Sequence, residues 1–243
     1  MKPTEFLREI LVPLTSPPVV LAMLLFFVLF QVVMLATVFG QVIAFVLAAQ
    51  LVVFVLPAML RYLMVVLEAR AFGREPAALD IDLFPWVGNV WTLFPILHVA
   101  AVAYLFLVTQ SYLGQQVATG AALLYVFFLP ASLVTLAMTR SVLASLNPVT
   151  ILKLIQRRGF AYLIGPMFAL FGCWLVVRIN KTFDADTLAQ FACFYFIFAA
   201  FALFGGLIRS LNPEREIDIP MPAGIDAERE RELHLVNRTA VLN

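Results

Sequence analysis

Residues 19–66 read VVLAMLLFFVLFQVVMLATVFGQVIAFVLAAQLVVFVLPAMLRYLMVV, and Arg61 is the one formal charge among them. A helix that crosses the hydrocarbon core of a bilayer needs about 20 mostly apolar residues. This run is too long for one crossing and long enough for two. Gly40 and Gln41 stand near its middle, and a turn there divides it into 19–39 and 42–66. Inside lipid, every backbone N–H and C=O must be paired within the protein, so spanning segments are helices or closed barrels. A barrel needs segments of about ten residues with alternating polarity, and this stretch does not alternate.

Outward from that stretch, four further apolar runs occupy 91–112, 117–138, 160–177 and 188–208, and none of them carries a formal charge. The whole chain of 243 residues is 63% hydrophobic and 13% charged, against about 25% charged in an ordinary soluble domain. Its mean hydropathy is +0.98. A water-soluble globule and a disordered chain are both excluded by these values. A net charge of +1 gives no field that would attract nucleic acid.

The expected fold is therefore all-α: a polytopic membrane protein with six transmembrane helices arranged as three hairpins. The turns fall at Gly40-Gln41, at Gly114-Gln115-Gln116 and at Asn180 to Asp184. Residues 1–18 form an N-terminal cytoplasmic or interfacial segment, 19–209 the transmembrane domain, and 210–243 a cytoplasmic C-terminal tail. Met1 to Pro18 does not read as a cleavable signal. Its charges are mixed (Lys2, Glu5, Arg8, Glu9) and the apolar run continues past any cleavage site.

Basic residues orient the helices. With six spans, one side receives Lys2, Arg8, Arg70, Arg74, Arg140, Lys153, Arg157, Arg158 and the five arginines from Arg209 onward. Arg61 snorkels toward that side. The other side has only Arg178 and Lys181. By the positive-inside rule both termini are cytoplasmic.

An internal repeat is the second pattern. Ser145-Leu146-Asn147-Pro148 recurs as Ser210-Leu211-Asn212-Pro213, with looser copies at Asp82-Leu83-Phe84-Pro85 and Thr15-Ser16-Pro17-Pro18. One hairpin lies in each interval, which suggests parallel units. Asn or Ser before Pro suits a helix start, because the cap oxygen accepts a backbone N–H and proline needs none at the first helical position. After Pro148, apolar Ile151, Leu152, Leu154 and Ile155 alternate with Lys153, Gln156, Arg157 and Arg158, and Gly159 ends the pattern. Residues 148–158 thus read as an amphipathic interfacial helix in which Lys153, Arg157 and Arg158 contact anionic lipid headgroups. Residues 4–12 (Phe6, Leu7, Ile10, Leu11) follow the same pattern. The tail reads as a solvated appendage and, more sharply, as a docking segment for a membrane partner.

Chemistry is sparse. No Asp, Glu or Lys lies within the six runs, and ion-coupled transporters rely on such groups. Arg61 and His98 are the polar exceptions, each about 10 Å deep at 1.5 Å per residue. Glu68 is on the face of Arg61, and Asn89, Trp91, Ser132 and Thr135 are at similar levels. Arg61, Glu68 and His98 are the candidate polar pocket, open to the cytoplasm. A single histidine within the spans excludes bis-histidine haem, and there is no clustered zinc ligand set, nucleophile elbow or HExxH. No catalytic, cofactor-binding or metal residue is assigned, and no enzyme activity or cofactor is expected.

Gly165, Ala169 and Cys173, spaced by four, form a small-residue stripe that admits a neighbouring helix, with Ala202 and Gly206 as the matching patch. Cys173 and Cys193 would lie at equal depth, as packing residues or as a disulfide. Gln31 and Gln50 are placed to hydrogen-bond across the first hairpin. The phenylalanines dense at 191–204 are expected to face lipid and fill packing gaps, and prolines 57, 95, 130 and 166 to kink four spans.

Three two-helix units resemble the mitochondrial carriers in outline, but the Pro-x-Asp/Glu-x-x-Lys/Arg signature of those proteins is absent from the odd spans here. The layout and the proline tetrads are more similar to the uncharacterised six-helix inner-membrane proteins of bacteria, whose hairpins are joined by amphipathic cytoplasmic segments. That resemblance implies a bacterial inner membrane and carries over no functional residue. The function expected is a non-enzymatic assembly factor, scaffold or subunit of a membrane complex. The alternative is a transporter or lipid-handling protein that uses the Arg61 level. Reporter fusions at Gly40, Gly114 and Lys181 should report outside, and those at Gly73, Gly159 and Asn243 inside. One inner site reporting outside contradicts the six-span reading.

Overall fold

The computed structural model describes residues 3–78, 94–139, 141–183 and 186–209, and every regular element among them is helical. Helix α1 is Pro3–Ile10 and α2 is Val12–Thr15. Ser16 is extended, and Pro17 and Pro18 open α3, Pro17–Phe39. Gly40 at φ 130° separates it from α4, Gln41–Gln50, a left-handed conformation that favours glycine. A π-helical turn, Leu51–Val55, leads into α5, Leu56–Ala71. That turn directly precedes Pro57, whose ring nitrogen cannot donate to the carbonyl four residues back.

Helix α6 (Phe94–Leu113) and α7 (Gln115–Thr139) pack together across Gly114, at φ 85°. Two short helices follow, α8 (Val142–Leu146) and α9 (Pro148–Arg158). Gly159 at φ 53° breaks the chain into a 3-10 turn, Gly159–Leu163, before α10 (Ile164–Phe183) and α11 (Asp186–Arg209). Five stretches among the described residues are long and apolar enough to cross a membrane: Pro17–Ala36, Phe45–Ala71, Gln115–Thr139, Pro148–Thr182 and Asp186–Arg209. The chain is a multi-pass helical membrane protein.

Boundaries differ from the sequence reading in two informative places. Helix α5 runs on to Ala71, so Glu68 and Arg70 are helical and Arg70 is buried rather than in a connection. Helix α10 runs through Asn180 to Phe183, where a turn was expected. Of the four tetrads, Asn147-Pro148 opens the amphipathic α9 while Ser16-Pro17 opens the long apolar α3. These two copies therefore do not head equivalent elements. Residues 82–85 and 210–213 lie outside the described residues.

Helix α11 is the centre of the bundle and packs on α1, α2, α3, α5, α7 and α10. Its residues from Phe198 to Ile208 are buried on nearly every side, Phe201 apart. Of the two roles expected for the phenylalanines here, packing against protein is the one these contacts show. Phe191 and Phe194 stand edge-on to Phe27 of α3 at 5.3 and 5.9 Å, and Phe198 and Phe204 are buried. Hydropathy is the same for a lipid-facing and a helix-facing phenylalanine, so the sequence does not separate them. The Gln31 amide donates to Gln190 Oε1 of α11 at 2.7 Å, while Gln50 is exposed.

Pro130 interrupts α7. At that level the Tyr162 hydroxyl donates to the Phe127 carbonyl and accepts from the Ala131 N–H at 3.4 Å. A side chain is thus inserted into the backbone ladder beside the proline, a recognised cause of helix bending. It satisfies groups that cost free energy when unpaired in an apolar interior. Tyr162→Phe should destabilise the protein by about 1 kcal/mol, read as a lower Tm. In a Pro130→Ala background, where the ladder closes by itself, the same substitution should cost clearly less. Equal costs in both backgrounds would contradict the plug.

Candidate functional site

Helix α1 carries a charge on its apolar face. Phe6, Glu9 and Ile10 share one side at helical spacing. Phe6 and Ile10 turn toward the core, and Glu9 between them is only 3% exposed. Its partner is Arg70 in the last turn of α5, 4% exposed. Arg70 Nε donates to Glu9 Oε2 at 2.6 Å and Nη2 to Oε1 at 2.5 Å. This is the two-pronged guanidinium–carboxylate geometry, stronger than a neutral hydrogen bond and specific in direction.

Two glycines of α11 make the room. A Cβ on Gly206 would lie 2.5 Å from Glu9 Cγ, and one on Gly205 would lie 2.7 Å from Arg70 Cβ. Neither neighbour can retreat, because both belong to the buried pair. The Tyr195 hydroxyl of α11 donates to the Ile10 carbonyl at 3.0 Å, pairing a backbone acceptor that the helix end leaves open. The first and last helices of the described chain are thereby joined through α5.

Arg61 and Glu68 are half-buried on α5, two turns apart. His98 lies in α6, but its side chain is outside the described residues, as are Asn89 and Trp91. The Arg61, Glu68 and His98 pocket therefore lies partly outside the described residues. Two of the polar side chains expected beside it are committed elsewhere. Ser132 donates to the Ser145 carbonyl at 2.8 Å, and Thr135 to the Ala131 carbonyl at 2.8 Å. Both are buried.

The Asn147 carboxamide oxygen accepts the Val149 N–H at 3.0 Å, and Pro148 takes the first turn of α9. Lys153 and Arg157 are exposed there, whereas Arg158 turns into a small cleft beside Leu154, Tyr162, Phe204, Leu207 and Ile208. The cleft holds about 20 Å³, the space of one water.

Among the expected packing residues, Gly165 meets Phe204 and Leu207 of α11. Gly172, rather than the exposed Cys173, makes the next such contact, with Phe196. Ala169 is half-buried between them. Ala202 is buried against α3 and α5, and Gly206 is spent on Glu9. Cys173 and Cys193 are both exposed free thiols. Among the described residues no group of three His, Cys, Asp or Glu is placed to hold a metal ion.

The ion pair was missed in the sequence although two signals for it were present. One is a glutamate on the apolar face of α1, and the other is adjacent glycines in the last apolar run. No family model, no curated protein and no solved structure matches the chain.

Removing one partner of a buried pair strands the other charge, at a cost of about 3–5 kcal/mol. Arg70→Met should therefore lower Tm sharply or prevent accumulation of folded protein. Combining it with Glu9→Leu should restore most of the loss. A double variant no better than the single one would contradict the pairing.

Proposed function

We propose that this chain is a non-enzymatic component of a bacterial inner membrane, an assembly factor, scaffold or subunit of a membrane complex. In this reading it has six spans in three hairpins, α6 supplying the third, and both termini are cytoplasmic. Residues 210–243 are the segment that meets a membrane-protein partner.

The observation that supports this most is the state of the buried charges. An ion-coupled carrier needs ionisable groups that exchange partners during its cycle. Glu9 and Arg70 are instead paired with each other through two hydrogen bonds and closely approached by α11 at Gly205 and Gly206. Such a pair fixes an arrangement of helices, the property a scaffold requires. The lipid-handling alternative draws on the Arg61 level, where His98 was expected; the His98 side chain lies outside the described residues.

Purification of the tagged chain in mild detergent, with and without residues 210–243, tests the reading. The expected result is a stoichiometric protein partner with the full chain that is lost on truncation. A stoichiometric solute or lipid with no protein partner would overturn it in favour of transport or lipid handling.

A further inference from the structure

We infer that the outward side of α8, α9 and the following 3-10 turn is a binding surface for anionic phospholipid at one membrane interface. Helix α9 has three sectors rather than two. Ile151 and Leu154, with half-buried Ile155, face the protein core. Leu152 and Val149 point the other way and are 46% and 56% exposed. Lys153 and Arg157, exposed as well, form the third sector along the edge beside Val149. Its apolar face toward the bundle is therefore already used, and on the outward side Leu152 and Val149, with the exposed carboxamide of Gln156 between them, are left uncovered by the described residues.

Exposed apolar side chains also flank α9 on both sides in the chain. Leu143 of α8 is 84% exposed, and Phe160, just past the Gly159 break, is 91% exposed. Large side chains left so open would aggregate a protein in water, but they suit the boundary between headgroups and acyl chains.

Depth supports the same occupant. Helix α11 has 24 residues, about 36 Å at 1.5 Å per residue, and the hydrocarbon core is about 30 Å thick. Its last turn therefore lies at an interface. Leu154 and Arg158 share a cleft with Leu207 and Ile208 of that turn, so α9 sits at headgroup level. There the exposed apolar side chains can enter the acyl region while the cations stay among the phosphates. Glu9 of α1 meets Gly206 of the same turn, so both amphipathic helices lie at one end of the bundle.

The test uses the full chain in uncharged detergent, titrated with dioleoyl phosphatidylglycerol, dioleoyl phosphatidylcholine or inorganic phosphate, with Tm as the readout. Phosphatidylglycerol should raise Tm saturably, and the other two should not. Lys153→Gln with Arg157→Gln should move the phosphatidylglycerol midpoint upward by roughly 30-fold, from about fivefold per cation. The charge-conserving pair Lys153→Arg and Arg157→Lys should leave the midpoint in place. Equal stabilisation by phosphatidylcholine, stabilisation by phosphate alone, or an unmoved midpoint in the glutamine variant would each overturn the inference.

Mass spectrometry of the lipid retained by the wild-type chain needs no variant. Phosphatidylglycerol enriched over its share of a mixed micelle supports the surface, and retention at its bulk share overturns it. The scaffold reading is independent of this result, because its own test is a protein partner lost with the tail.

Discussion

The pair between Glu9 and Arg70 is the constraint around which the helices are arranged. A carboxylate and a guanidinium can enter an apolar bundle only together and only with their hydrogen bonds made, since an isolated ion costs several kcal/mol there. The direct bonds at 2.6 and 2.5 Å meet that condition. Meeting it dictates that α1 must reach the end of α5, that α11 must pass close to both, and that α11 must present Gly205 and Gly206 where it does. A side chain at either glycine would part the helices by the width of a methyl group. Van der Waals contact that depends on close backbone approach is the main attraction between helices in lipid, so that gap would weaken the whole contact.

Several other polar groups among the described residues follow the same economy. The backbone opened by Pro130 is closed by the Tyr162 hydroxyl, Ser132 and Thr135 donate to nearby carbonyls, and Gln31 pairs with Gln190. Each is satisfied inside the protein, as an environment without water demands. Exposed among the described residues are apolar side chains over the spans, the α9 cations Lys153 and Arg157, and charges on other helices such as Arg8, Arg178 and Lys181.

Much of the helical layout was legible because it depends on local properties. Long uncharged runs must be helices in lipid, and Gly40 and Gly114 adopt positive φ at the turns their positions suggested. Asn147-Pro148 opens a helix as the tetrad predicts. Properties that depend on distant partners were not legible. Arg70, at the edge of an apolar run, read as a connection residue; it lies in the last turn of α5, and its buried partner is a glutamate 61 positions away. Hydropathy places Phe198 in a membrane but does not say whether lipid or α5 surrounds it. Cys173 and Gly172 have equal claims on a small-residue stripe until the rotation of α10 is known.

The central claim is that α1 is held against the bundle by this ion pair rather than by the membrane surface alone. Hydrogen exchange of the α1 backbone amides in detergent, followed by mass spectrometry, measures that directly. In the wild-type chain, residues 6–10 should exchange about as slowly as the C-terminal turns of α5. In an Arg70→Gln variant they should exchange orders of magnitude faster while α10 stays protected. Fast exchange of α1 in the wild type, or protection that survives the loss of Arg70, would contradict the account.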